Sequence, residues 1–190
     1  MANKVKYGIK NVYYAVATIG TDGTATYGSP VAFPGARSIS MEPQGENTPF
    51  YADNIAYWTG VGNTGYEGDL EMAMISESFE TDVLGLINDS ANVAYEDLSA
   101  QAIHFALLFQ FEGDEKATRH VFYNCTAERA TVAGSTVEES IEPQTETITI
   151  RATSIHVNTL DKDVVKAKTR STTTTSVYNN WFSTVHIPTT

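Results

Sequence analysis

At 190 residues, 42% of them hydrophobic, the chain is long enough for one domain with a full core, burying roughly 70% of its unfolded surface without staples. The single cysteine, Cys125, excludes an intrachain disulfide framework, and lysines at 4, 6 and 10 break the first apolar stretch, which argues against a signal peptide and for folding in a reducing cytoplasm. A net charge of −11 excludes a tight binder of nucleic acid, which needs clustered positive charge, yet the charge is uneven: residues 61–115 carry twelve acids and no Lys or Arg, while both ends are basic through Lys4, Lys6 and Lys10 and through Lys166, Lys168 and Arg170.

No repeat, coiled coil, linker or apolar run long enough to span a membrane is visible, and short β-type segments punctuated by Gly, Pro and Asn predict a sandwich or barrel. Residues 11–19 (NVYYAVATI) are β-branched or aromatic on both alternating sets, so this strand is expected to be buried on both faces; Asp22-Gly23 then turns the chain into a partner strand over 24–27. The polar, Gly/Pro-rich stretches 42–49, 59–65, 113–118 and 134–144 read as loops. The clearest strand covers 66–74, with Tyr66, Leu70, Met72 and Met74 toward the core and Glu67, Asp69 and Glu71 forming a carboxylate stripe opposite, because side chains alternate with period two. One helix follows: Ser76 or Ser78 caps it, Glu77, Glu80 and Asp82 suit the positive end of its dipole, and Phe79, Val83, Leu86 and Ile87 make its apolar face.

Residues 105–111 (FALLFQF) are apolar almost throughout and belong at a sheet centre. Further strands are expected over 119–127 and 145–152, the latter turning Ile148 and Ile150 inward and Thr145, Thr147, Thr149 and Arg151 outward. The segment 164–190 reads as a basic, Thr-rich C-terminal arm with a short helical turn over 177–183. Its Tyr178, Trp181 and Phe182 form an apolar anchor, which docks either in a neighbour's groove or on its own subunit.

No catalytic, metal or cofactor site is expected. Gly60, Gly62 and Gly65 spell G-x-G-x-x-G, but a dinucleotide fingerprint opens a helix, whereas a strand follows here. His104, His120, His156 and His186 lack metal-ligand spacing, and Asp114 and Glu115 lack the acidic series of a calcium loop. No Ser sits in G-x-S-x-G, and Cys125 occupies an interior strand position where a thiol is inert.

Several strings, KVKYGIKNVYY (4–14), FYADN (50–54), GYEGDLE (65–71), FALLFQFEGDEKATRHVFYNC (105–125) and SIEPQTETITI (140–150), together resemble the major tail proteins of siphophages infecting Gram-positive bacteria. The resemblance extends over nearly the whole chain, weakening over 87–102 and after Lys168. It implies a mainly-β subunit of two packed antiparallel sheets with a flanking α-helix, made in the host cytoplasm and residing in the virion. It further implies self-assembly into stacked hexameric rings that conduct genomic DNA without binding it, and contacts with tape measure, tail terminator and distal tail proteins. In such a tube Glu67, Asp69 and Glu71 would face the lumen, a neighbour or the outer solvent, and the basic ends would meet acidic surfaces of neighbours. The competing expectation is a carbohydrate-binding β-sandwich, in which Trp58 and Trp181 stack on sugar.

Overall fold

The computed structural model describes residues 3–136 and 143–189, so the expected loop over 134–144 lies partly outside the described residues. In chain order the strands are β1 (Lys6–Ile19), β2 (Ala25–Tyr27), β3 (Val31–Ala32), β4 (Ala36–Gln44), β5 (Asn47–Ala52), β6 (Ile55–Val61) and β7 (Gly65–Met72). Helix α1 (Glu77–Asp82) precedes β8 (Ile87–Asn88), β9 (Ala94–Tyr95), β10 (Phe105–Gly113), β11 (Thr118–Ala127), β12 (Glu146–Thr153), β13 (Ile155–Val157), β14 (Lys162–Val164) and β15 (Lys166–Lys168), and α2 (Thr175–Asn179) follows. A nine-stranded antiparallel sheet runs β2-β1-β10-β11-β12-β7-β4, with β3 added on β1 and β15 on β11; β5-β6, β8-β9 and β13-β14 are separate two-stranded ribbons.

Strand β11 makes the two expected layers out of this one sheet. Its first half pairs with β15, His120 opposite Lys168, and its second half with β12, Asn124 opposite Thr153. The β12-β7-β4 layer therefore turns away and folds back over β1-β10. Leu70, Met72, Ile148 and Ile150 from that layer meet Val12, Tyr14, Phe105, Leu107 and Phe109 in one buried cluster. A second cluster, Ala15, Ala106, Leu108, Val121 and Tyr123, covers the other face of β1, β10 and β11 beneath Ile155, Val157 and Trp181. Burial on both faces is why residues 105–111 are apolar at nearly every position.

Strand β1 curls to serve both clusters. Gly8 (φ 59°) and Asn11 (φ 50°) sit at its two register shifts against β10, where bulges bend the strand. The expected hairpin to β2 is present: Ile19 pairs with Ala25, and the Asp22 carboxylate accepts from the Thr24 amide (3.1 Å) and hydroxyl (2.7 Å), which bends the turn.

Helix α1 is capped as expected, the Ser76 hydroxyl accepting from the Phe79 amide at 3.3 Å. Phe79 stacks on Phe33 (4.4 Å) and meets Tyr14 edge-on (5.2 Å), while the Tyr14 hydroxyl donates to Asp82 at 2.8 Å. The helix is shorter than the apolar face predicted. It stops at Asp82, Gly85 turns the chain with φ 76°, and Ile87 leaves for β8, exposed.

Two further expectations need correction. Strand β7 ends at Met72, opposite Ala36 where β4 begins, so Met74 lies beyond the ladder and is exposed. The stretches 42–49 and 59–65 are not loops but belong largely to strands β4, β5, β6 and β7. Their polar, glycine-rich composition reflects strands exposed on both faces and a close backbone crossing: a Cβ at Gly45 would overlap the Gly62 carbonyl.

Candidate functional site

The β5-β6 ribbon stands apart from the main sheet and is not explained by the core. It is a hairpin closed by Asp53 (φ 52°) and Asn54 (φ 63°), the left-handed pair that a two-residue β-turn requires. Phe50 stands directly opposite Trp58, and the Trp58 ring lies over Gly60, where an added Cβ would press against it. These residues are nevertheless in solvent: Phe50 is 61% exposed, Tyr51 65%, Tyr57 71% and Trp58 62%, with Ile55 beside them at 60%. An isolated hairpin is marginal in water, and a contiguous exposed apolar patch marks an interaction surface. Sequence reading singled out Trp58 alone here, because an aromatic strand carries the same signal whether buried or not.

The acidic stripe exists as expected, with Glu67, Asp69 and Glu71 on the outward face of β7, but neighbouring strands supply the bases that the local sequence lacks. Glu71 pairs with Arg37 on β4 (2.8 Å) and accepts from Ser38 (2.9 Å) and Thr145 (2.7 Å); these hydroxyls, with Arg37, hold its carboxyl below the usual range. Glu67 pairs with Arg151 on β12 (3.2 Å), and Asp69 accepts from Thr149 (2.8 Å). Glu42 on β4 lies directly opposite Glu67, two like charges in one cross-strand pair.

The C-terminal arm packs on its own subunit, the second of the two placements open from the sequence. Trp181 is 2% exposed, which also removes it as a sugar platform. Phe182 stacks on Tyr13 (4.9 Å), and Tyr178 donates to the Ala117 carbonyl (3.1 Å) with the Arg119 guanidinium 3.8 Å from its ring centre. Of the basic residues, Lys10 pairs with Glu112 (2.8 Å), Lys6 lies over Phe111 (4.6 Å) and Lys166 over Tyr66 (4.0 Å). The Lys4 backbone amide donates to Asp114 (2.9 Å), whereas Lys168 and Arg170 flank a cleft beside the β10-β11 turn.

Among the described residues no cluster of His, Cys, Asp and Glu could hold a metal ion. Cys125 is fully buried and burial pushes its thiol up, away from the reactive thiolate. His120 is held neutral, its pKa pushed down to about 4 by burial and then by Lys168, Lys166 and Lys6. His104 bonds Asn124 (2.7 Å), His156 bonds Asp163 (3.0 Å) and His186 stacks on Trp181 (5.7 Å). Gly60 lies in β6 and Gly62 just beyond it, so the glycine triplet opens no helix.

A sequence profile of the phage tail tube protein family matches residues 2–188. The chain belongs to that family. It is thus a structural component of a bacteriophage tail, in agreement with the resemblance carried by the strings above. No curated protein sequence matches it. Among solved structures, the tube-terminating cap of the anti-feeding prophage aligns at 13% identity over 88% of this chain and 94% of that one, with a TM-score of 0.44. The sixfold-symmetrised baseplate of the anti-feeding prophage aligns at 7% identity over 87% and 97%, with a TM-score of 0.39. No helix of the tail tube protein, among the described residues, is long and apolar enough to cross a membrane.

Proposed function

We propose that this chain assembles head to tail with copies of itself into hexameric rings, that the rings stack into the tail tube, and that genomic DNA leaves the capsid through the lumen. The observation that carries this reading is the β5-β6 hairpin, whose exposed aromatic residues find no cover among the described residues. A head-to-tail contact closes into a ring or continues as a filament, and a tube uses one of each kind. The strongly acidic balance suits a conduit: duplex DNA adheres through cationic contacts, so a negative wall lets it slide. The subunit would act without catalysis, be made in the host cytoplasm, and meet tape measure, terminator and distal tail proteins at the ends of the tube.

Negative-stain microscopy and sedimentation of purified protein at rising concentration test this. Rings or tubes that lengthen with concentration are expected; a monomer at every concentration, with no particle of tube width, rejects the reading.

A further inference from the structure

The described residues hold four bases in ion pairs with carboxylates of their own chain: Lys10, Arg37, Arg129 and Arg151. Three others gather without such a partner. Lys116, Lys168 and Arg170 line one cleft of 380 Å3, together with Asn3, Thr118 and Ser171. No carboxylate among the described residues lies within ion-pair distance of any of the three, although Asp114 and Glu115 belong to the same turn as Lys116.

The cleft is built rather than accidental. Thr169 is buried, its amide donating to the Arg119 carbonyl (2.8 Å) and its hydroxyl accepting from the Arg119 amide (2.9 Å). Thr169 is turned inward, and Lys168 and Arg170 on either side of it are exposed. The Lys116 ammonium rests 3.7 Å from the centre of the Tyr178 ring, and Asn3 fixes the turn by accepting from the Lys116 amide (2.9 Å). Lys168 and Arg170, both exposed, thus share with Lys116 the lining of a space that accommodates a side chain.

On β4, which ends the sheet path, lies the complementary excess. Glu42 faces Glu67 across the ladder, and Glu67 already engages Arg151 at 3.2 Å. Glu42 has no cation within ion-pair distance among the described residues, and of the two facing carboxylates Arg151 engages only Glu67, so the edge keeps one carboxylate that a base from outside would pair.

We infer that the Lys116-Lys168-Arg170 cleft is a carboxylate receptor for a second copy of this chain, and that its occupant is the Glu42 edge of β4. The inference rests on the assembly reading and gives it a specific contact. Cleft and edge are different surfaces of one subunit, so their union is head to tail and propagates from copy to copy. Duplex DNA is the less suited occupant, since three cations release few counterions and the chain as a whole carries a net charge of −11.

The test uses cysteine chemistry on the full chain, because buried Cys125 stays silent toward maleimides. One chain carries Gln44→Cys, beside Glu42 on β4, and another Ser171→Cys at the cleft, so that the contact residues stay in place, and the two are mixed with a short bis-maleimide. A mixed dimer several times more abundant than that formed with Val132→Cys, an exposed control, supports the inference. In parallel, Lys168→Glu with Arg170→Glu should raise the concentration needed for assembly roughly tenfold, and adding Glu42→Lys should restore part of the loss. If wild-type protein builds tubes but the 44–171 cross-link does not exceed the control, the receptor is wrong and the assembly reading stands. If the cross-link forms while no rings or tubes appear, the receptor stands and the tube reading fails. If neither appears, both fall. Salt-sensitive binding of a labelled duplex that the double reversal abolishes would make the cleft a phosphate site and overturn the inference.

Discussion

The indole nitrogen of Trp181 donates to the His120 carbonyl at 3.2 Å, fastening the end of the chain to the middle of β11. Leu108, Val121 and Tyr123 lie in the same buried cluster as Trp181, so the arm works as part of the core. Trp181→Ala is expected to cost about 3–5 kcal/mol, the usual range for removing a large aromatic from a packed interior. Urea denaturation reads the loss. Deleting 177–190 should likewise leave a partly unfolded, dye-binding chain; a truncated protein as stable as the full one would contradict the packing.

His120 gives the protein an acid-sensitive window. Its ring is parallel to Phe109 at 5.2 Å and stays neutral in the folded state down to about pH 4, whereas in the unfolded chain it takes up a proton near its ordinary value of 6.5. The unfolded state therefore binds the extra proton between those limits, and stability falls as pH drops from 6.5 toward 4, by on the order of 2–3 kcal/mol. His120→Gln should flatten that part of the stability-pH profile relative to wild type. Parallel profiles for the two proteins would assign the acid sensitivity elsewhere.

The hairpin should separate folding from assembly. Replacing Phe50 and Trp58 by serine removes largely exposed side chains and one cross-strand pair, so unfolding free energy is expected to shift by no more than about 1 kcal/mol. Rings and tubes should disappear from micrographs of the same sample. Normal tubes from the double variant would take the hairpin out of the assembly.

Gly68 in β7 is irreplaceable for a local reason: a Cβ there would overlap the Ser40 carbonyl of β4. Gly68→Ala should force the two strands apart and cost about 1–3 kcal/mol, seen as a lowered melting temperature. Gly134→Ala, with open space around it, is the control expected to melt like wild type.

How far the sequence could be read depended on what covers each strand. β10 and β12 were legible because burial dictates composition: two covered faces make Phe105 to Phe109 continuously apolar, and one covered face makes Ile148 and Ile150 alternate with threonines. β4, β5 and β6 were misread over 42–49 and 59–65 because neither face of the ribbon is covered, so polar residues and glycines imitate a loop. Trp58 and Trp181 make the limit plain. Both stand in aromatic segments, yet one is in solvent and the other in the core, and only tertiary packing separates them. The same holds for the acidic stripe, where Arg37 and Arg151 arrive from strands distant in sequence, and for the cleft that joins Lys116 to Lys168.

The corner at β11 also sets an order of events during synthesis. β1 has no partner for its long edge until β10 emerges from the ribosome, since Lys6 pairs with Gly113 and Val16 with Phe105. β7 can dock on β4 early, but it waits for β12 on its other side, and the second apolar cluster remains open until Trp181 arrives. Pairings this remote are slow to close and leave strand edges bare meanwhile. The nascent subunit therefore spends most of its translation time with the hairpin aromatics formed and the core unsealed, a stage at which premature association between chains competes with completing the fold.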